Sequence, residues 1–350
     1  MQFKASPRAP KYIDADFSKG RLAALCAWMV VFIFSFGAPV PAQTQIASAT
    51  VEPPAAAHLF TDEIGRRVNV PVDVKHIVSL APNLTEIVFA LGKGDHLAGD
   101  TDFCDYPSEA RQKPRVGGPV NPNLEHIVAL TPGLVLATKS INRRETVEAL
   151  ARLGLSVYVT DPHSVDETIT SVERLGRILR AEKTAVPLVE DLRARLADLD
   201  RRLAGTVPRR VLFVVWTDPL ISIGRDTFIA DALRRAGARS VVDTTAEWPR
   251  VSLEEIVRLQ PEFVVFASAH AGETQHDIDA LRTRPGWRDL SALRRGNIVV
   301  ISEAINRPAP RMVDAIEQLA RALHSESFIS RDRQSKRAPH VTEEACACAR

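Results

Sequence analysis

Charge of one sign, pairable cysteines and catalytic signatures are what this chain has little of. With 45 basic against 43 acidic side chains its formal net charge is +2, which provides no field to hold a nucleic acid or an anionic membrane surface. Nucleic acid therefore drops out as a partner. Of four cysteines, Cys26 lies in an N-terminal apolar run, and Cys346 and Cys348 stand one residue apart in a polar tail. Exported proteins usually pair their cysteines, but this arrangement gives no disulfide framework, and Cys104 reads as a small buried hydrophobe. A Walker A loop, an H-E-x-x-H helix and a Gly-x-Ser-x-Gly elbow are all missing, which removes the sequence warrants for nucleotide, zinc-protease and serine-hydrolase chemistry. Gly92-Lys93-Gly94 follows a predicted helix, where a phosphate loop has to precede one. The nine histidines are scattered, with no pair at ligand spacing on one helix, so no metal cage is expected. A two-lobed hydrolase or metal-dependent enzyme is the weaker alternative, because no nucleophile and base pair carries it.

What is present suits a globular protein: 45% hydrophobic and 25% charged residues in 350 positions, enough for two domains of ordinary size. Lys19 and Arg21 precede an apolar run over 22–36, and Val40-Pro41-Ala42 then supplies small residues suited to signal peptidase. The run is too short for a comfortable bilayer span, so residues 1–42 read as a secretory signal cleaved near Ala42. Residues 43–57, rich in Ala, Pro, Ser and Thr, read as a flexible lead-in. Residues 325–350 are polar without apolar periodicity, and disorder is expected there.

Two stretches repeat one design. Asn123-Leu124-Glu125-His126-Ile127-Val128-Ala129-Leu130-Thr131-Pro132 runs into Leu134-Val135-Leu136-Ala137, and Ser252-Leu253-Glu254-Glu255-Ile256-Val257-Arg258-Leu259-Gln260-Pro261 runs into Phe263-Val264-Val265-Phe266. Asn123 and Ser252 are N-cap residues by type. Each proline stops its helix, and each apolar run reads as a buried parallel strand. The 129-residue separation of Asn123 and Ser252 far exceeds solenoid and propeller periods, so the duplication marks two related lobes. Glu125 and Glu254 fall in the first helical turns, facing the positive end of the helix dipole. They read either as plain N-terminal helix charges or as a symmetric pair of docking charges.

Residues 58–180 read as an N-terminal α/β lobe opened by a hairpin that turns at 62–65. Residues 181–207 are helical, with Leu188, Leu192, Leu196, Leu199 and Leu203 in one stripe and Pro187 expected in the first turn; the segment reads as an interlobe strut. Residues 208–324 replay the first lobe. Phe103, Tyr106, Trp216 and Trp248 fall in loops at strand ends, accompanied by Pro82, Asn83, Gly117, Gly118 and Arg307. Open α/β sheets bind ligands at the carboxyl ends of their strands, and large rings cover a bulky, flat ligand efficiently. Tyr106, beside Pro107, suits capping of its own lobe.

The ordered series His76-Ile77-Val78-Ser79-Leu80-Ala81-Pro82-Asn83-Leu84-Thr85-Glu86, Asp105-Tyr106-Pro107, Val116-Gly117-Gly118, Asn123-Leu124-Glu125 and Asn306-Arg307-Pro308 resembles the helical-backbone substrate-binding proteins of ABC importers for vitamin B12, haem and ferric siderophores. The resemblance covers roughly residues 59–323 and is strongest to cobalamin-binding members. It implies two pseudo-equivalent α/β lobes with mostly parallel sheets joined by a rigid interlobe helix. It implies a non-catalytic periplasmic protein, monomeric when free and without a cofactor, that carries a corrinoid (cobalamin) between its lobes to an inner-membrane ABC permease dimer. It further implies that Glu125 and Glu254 dock on permease arginines, that Phe103 contacts the ligand, and that Glu303, Ala304, Ile305, Asn306 and Arg307 form another contact segment. The second-lobe disulfide of some cobalamin binders has no counterpart, Ala236 standing near one of its positions. Gly117, Gly118 and Ala304 stand where those binders can carry large aromatics, which implies a roomier pocket. Haem or a ferric siderophore is the alternative ligand within the same fold.

Overall fold

The computed structural model describes residues 57–268 and 278–329; the signal segment, nearly all of the lead-in and the tail from 330 lie outside the described residues. An antiparallel hairpin, β1 (Ala57–Thr61) and β2 (Arg67–Pro71), comes first. It is followed by β3 (Ile77–Ser79), α1 (Pro82–Ala90), β4 (Leu97–Gly99), α2 (Leu124–Ala129), β5 (Leu134–Thr138), α3 (Arg144–Arg152) and β6 (Val157–Thr160). These four strands, β3 to β6, form a parallel sheet in the order β4-β3-β5-β6. Two helices, α4 (Val165–Ile178) and α5 (Glu182–Leu203), lead to the second lobe. There β7 (Arg209–Val214), β10 (Ala238–Ser240), β11 (Phe263–Ser268) and β12 (Ile298–Ser302) form a second parallel sheet, ordered β10-β7-β11-β12. Between β7 and β10 lie the short strands β8 (Trp216–Thr217) and β9 (Leu220–Ile221) and helix α6 (Phe228–Arg235); α7 (Leu253–Leu259) precedes β11. Setting β7, β10, β11 and β12 against β3, β4, β5 and β6 makes the two orders identical, so the duplicated sequence is a duplicated topology.

The strands are apolar at successive positions because helices cover both faces of a parallel sheet; every residue of β5 is buried. The repeat extends to the backbone. Thr131 and Gln260, each preceding the proline of its repeat, take φ of 45° and 44° and so stop their helices in the left-handed region. The N-termini differ, however. Asn123 accepts the His126 N–H at 3.0 Å, whereas Ser252 makes no capping bond and its hydroxyl donates to Glu254 Oε2 at 2.6 Å. A carboxylate within reach outcompetes the backbone for that hydroxyl.

One apolar cluster runs from the hairpin through α1, α4, α5, α6 and the closing helix Met312–Leu323, and separate clusters fill the opposite face of each sheet. In α5 the expected stripe is inward: Leu192, Leu196 and Leu199 are buried, with Leu188 and Leu203 packed at its edges. The helix begins at Glu182, so Pro187 lies inside it and not in its first turn. Proline removes one N–H donor there, and burial of Ala185, Val189 and Leu192 in the same stripe outweighs that loss. Arg195 fastens α5 to the closing helix through Asp314 (2.6 Å) and Glu317 (3.0 Å). Residues 325–329, expected to be disordered, are helical. Phe328 anchors them, buried beneath the guanidinium groups of Arg202 and Arg321 at 5.6 and 4.8 Å from its ring centroid.

Candidate functional site

Loops at the carboxyl ends of β3 to β6 form one rim. The buried Asn142 amide joins three of them: its Oδ1 accepts the Thr138 N–H at 2.7 Å, and its Nδ2 donates to the carbonyls of Leu80 (2.9 Å) and Pro119 (2.8 Å). Loop 101–107 is held by Arg115, whose Nη1 donates to Asp100 Oδ1 (2.6 Å) and to the carbonyls of Thr101 (2.6 Å) and Cys104 (3.1 Å). Burial pushes the Asp100 carboxyl up to about 7 against the opposing pull of Arg115. Cys104 lies beneath the loop as a buried free thiol that receives the Thr85 hydroxyl at 3.1 Å. Burial raises its pKa, which makes it a packed thiol and not a reactive one. Gly117 turns its loop at φ 90°, a conformation that favours glycine.

The opposite rim is an ordered loop on the second lobe. Residues 244–251 run beside 220–225, with backbone N–H groups of Val251, Ser222, Gly224 and Arg225 donating to the carbonyls of Leu220 (3.0 Å), Pro249 (3.1 Å), Glu247 (3.0 Å) and Thr244 (2.9 Å). Gly224 permits the approach, since a Cβ there would fall 1.9 Å from the Ala246 carbonyl oxygen. Trp248 is presented on this loop, 51% exposed, and Trp216 projects from the β8–β9 hairpin, 59% exposed, with its indole N–H on the Asp218 carbonyl at 2.8 Å. Phe103 on the first lobe is 62% exposed. Fourteen large apolar side chains are exposed among the described residues, and half of them sit in these strand-end loops: Phe103, Tyr106, Val120 and Ile141 on one lobe, Val215, Trp216 and Trp248 on the other. Apolar surface is thus concentrated where open α/β sheets take ligands.

The first rim meets the segment 303–311 of the second lobe at a cluster of charges. Glu86, a buried carboxylate of α1, accepts from Arg307 at 3.0 Å and from Arg311 at 2.8 and 2.6 Å. Arg307 also donates to Asp105 at 2.7 Å and lies 3.0 Å from Glu303, and the Arg311 guanidinium stacks over the Tyr106 ring, 3.5 Å from its centroid. Burial pushes the Asp105 carboxyl up, but the hydrogen bond and charge of Arg307 outweigh it and hold the group below the usual carboxylate range. Burial alone would lower the Arg307 pKa, and its bonds to Asp105 and Glu86 raise it instead.

The sequence-expected contact residues divide accordingly. Phe103, Trp216 and Trp248 are exposed on the rims; Pro82, Gly117 and Gly118 are half-buried there; Asn83 is buried at the start of α1. Asn306 is exposed and Glu303 joins the charge cluster with Arg307. Ala304 and Ile305, at 2% and 0% exposure, pack into the shared core, because the short 3-10 turn Glu303–Asn306 faces its middle residues inward. Glu125 and Glu254 are exposed in the first turns of α2 and α7, one on each lobe. Glu86, Asp105, Arg311, Asn142 and Gly224 escaped the sequence reading. Glu86 had a signal, a lone charge among Leu84, Ile87 and Val88; Arg311 had another, four residues after Arg307.

Residues 77–304 match a family model described as periplasmic binding protein. The vitamin B12-binding protein of Vibrio cholerae serotype O1 is 30% identical over 252 residues, 71% of this chain and 89% of that protein. YvrC of Bacillus subtilis, an uncharacterized ABC transporter substrate-binding lipoprotein, is 27% identical over 318 residues, 89% of this chain and 99% of its own. Among solved structures, the periplasmic vitamin B12 binding protein BtuF of Vibrio cholerae gives a TM-score of 0.65 at 28% identity, covering 73% of this chain and 98% of that one. The periplasmic heme-binding protein RhuT from Roseiflexus sp. RS-1 gives 0.64 at 25% identity, covering 73% and 99%. With the match running from the first strand of one parallel sheet through the last strand of the other, the chain belongs to the periplasmic binding protein family.

Proposed function

We propose that this chain, the substrate-binding component of an ABC importer, captures a corrinoid between its lobes and delivers it to a permease dimer through Glu125 and Glu254. The observation that carries the ligand is the pairing of exposed aromatic rings on both rims with a charge cluster whose guanidiniums are already engaged. Arg307 and Arg311 face Glu86, Asp105 and Glu303, two cations against three carboxylates and so a formal balance of −1. Haem propionates or a siderophore anion would have to displace those carboxylates at the cost of unpaired buried charges. A corrinoid is a broad macrocycle edged by neutral amides, and it takes apolar contact from Phe103, Trp216 and Trp248 without asking for a free cation. The vitamin B12-binding relatives support the same ligand.

On this reading the protein is a receptor with no reaction to catalyse, exported, and loaded with a transported ligand instead of a cofactor. Calorimetry on the purified mature chain tests it with cyanocobalamin, haemin and a ferric siderophore. About one equivalent of cyanocobalamin binding, unaffected by excess haemin, is the expected result. Binding of haemin or the siderophore without cyanocobalamin overturns the ligand.

A further inference from the structure

The contacts at the charge cluster join segments that are 202 to 225 residues apart in sequence. All the partners from the first lobe belong to α1 or to loop 101–107, and both arginines come from the segment that leads from β12 into the closing helix. Glu86 is the hub. Its two carboxylate oxygens take three N–H groups from two guanidiniums, with Arg311 bidentate and Arg307 sharing Oε1. Arg307 carries the link onward, because the same Nη1 that reaches Glu86 also reaches Asp105. Asp105 and Tyr106 stand two and three residues beyond Phe103.

We infer that Glu86 is a positioning residue that latches the lobes and, through Arg307 and Asp105, sets the position from which Phe103 meets the ligand. The inference rests on the reading of the interlobe site as the binding site. Elsewhere the lobes are tied by Asp231, which accepts the Val165 N–H at 2.8 Å, and by Arg235, which reaches Asp166 and Asp200. Those ties involve α4, α5 and α6, and they leave loop 101–107 out. The charge cluster is where a polar tie between the lobes also reaches the Phe103 loop, through one carboxylate. Any force that parts the lobes therefore loosens the ligand contact in the same step, which is the behaviour a carrier needs when it unloads.

Two measurements on Glu86→Gln and Asp105→Asn test this. Hydrogen exchange on the unliganded protein should rise in peptides covering 101–107 and 303–312 for Glu86→Gln, and in 101–107 for Asp105→Asn, with exchange in the two sheets unchanged. Stopped-flow binding of cyanocobalamin, or of haemin if the wild type takes that instead, should show dissociation faster by roughly tenfold with association little altered. Should Glu86→Gln fail to fold, Asp105→Asn decides alone, since its carboxylate is partly exposed. Wild-type exchange in 101–107 in the folded variants overturns the latch, as does an unchanged dissociation rate. Failure of the corrinoid reading shows separately, as a wild type that does not bind cyanocobalamin.

Discussion

Replacing Gly224 by alanine adds only one methyl group, yet it should weaken binding as much as deleting Trp248. The new Cβ would lie 1.9 Å from the Ala246 carbonyl oxygen, 2.9 Å from its carbon and 3.0 Å from the Thr244 oxygen. Ordinary contact begins near 3.4 Å, so the 244–249 loop has to retreat by about 1.5 Å. That distance breaks the bonds from Gly224 to Glu247 (3.0 Å) and from Arg225 to Thr244 (2.9 Å). At a net of about 1 kcal/mol each, the loss is about 2 kcal/mol of stability, similar to the roughly 1–3 kcal/mol of overpacking if the loop holds and the strain stays. Trp248 moves with the loop, and a displaced aromatic anchor costs about 2 kcal/mol of affinity, roughly 30-fold. Trp248→Ala should lose the same affinity without the stability loss, because that side chain is half exposed. Thermal melts and cyanocobalamin calorimetry on both variants give the comparison. A Gly224→Ala protein with wild-type melting and affinity would refute the claim that this loop is held in place to present Trp248.

Asn142→Leu should cost about 2–4 kcal/mol in urea unfolding, because the Leu80 and Pro119 carbonyls and the Thr138 N–H lose a buried partner; a loss under about 1 kcal/mol would show that water replaces it. The folded chain holds the Asp100 proton up to about pH 7 where an ordinary aspartate releases it near 3.8. It therefore binds more protons than the unfolded chain between those values, so the stability this group contributes is greatest below about pH 4, declines up to about pH 7 and is level above. Asp100→Asn should flatten that slope, and an unchanged pH dependence of unfolding contradicts it. If Glu125 and Glu254 dock the permease as proposed, the Glu125→Gln, Glu254→Gln double variant should keep cyanocobalamin affinity and lose association with the reconstituted importer, since truncating a buried charge pair costs about 2–5 kcal/mol. Plain helix-end charges would cost only about 0.3–1 kcal/mol of stability, and normal importer association by the double variant rejects docking.

The two lobes were legible because their signals are local. A strand buried on both faces writes its burial into consecutive residues, as in Leu134-Val135-Leu136-Ala137 and Phe263-Val264-Val265-Phe266, and a helix stop is written in one proline. The topology then repeats because the pattern does. The rim aromatics were legible for a related reason: Phe103, Trp216 and Trp248 follow strand ends, and no core-facing period claims them. Where the local rule competes with a nearer partner it misleads. Ser252 has the residue type of a cap, but Glu254 two positions on takes its hydroxyl. Ala304 and Ile305 sit in a contact segment by resemblance, but a turn of this kind has an inner and an outer side, and these two fall on the inner one.

Glu86 shows why the charge cluster was not legible. Within α1 a charge between Thr85 and Ile87 contradicts the burial of its neighbours, and a buried carboxylate without a partner would cost several kcal/mol. The contradiction announces that a cation must exist, but nothing local says which of 45 basic residues supplies it. The answer lies 221 and 225 residues away, at Arg307 and Arg311, and it is available only once the two lobes face each other. Removing Glu86 would leave Arg311 without its carboxylate and Arg307 with Asp105 and Glu303 alone, and removing the arginines would leave Glu86 buried and charged, so the cluster is complete only when both lobes contribute. The charge that looks misplaced in the first lobe is therefore a sequence-level mark of the second.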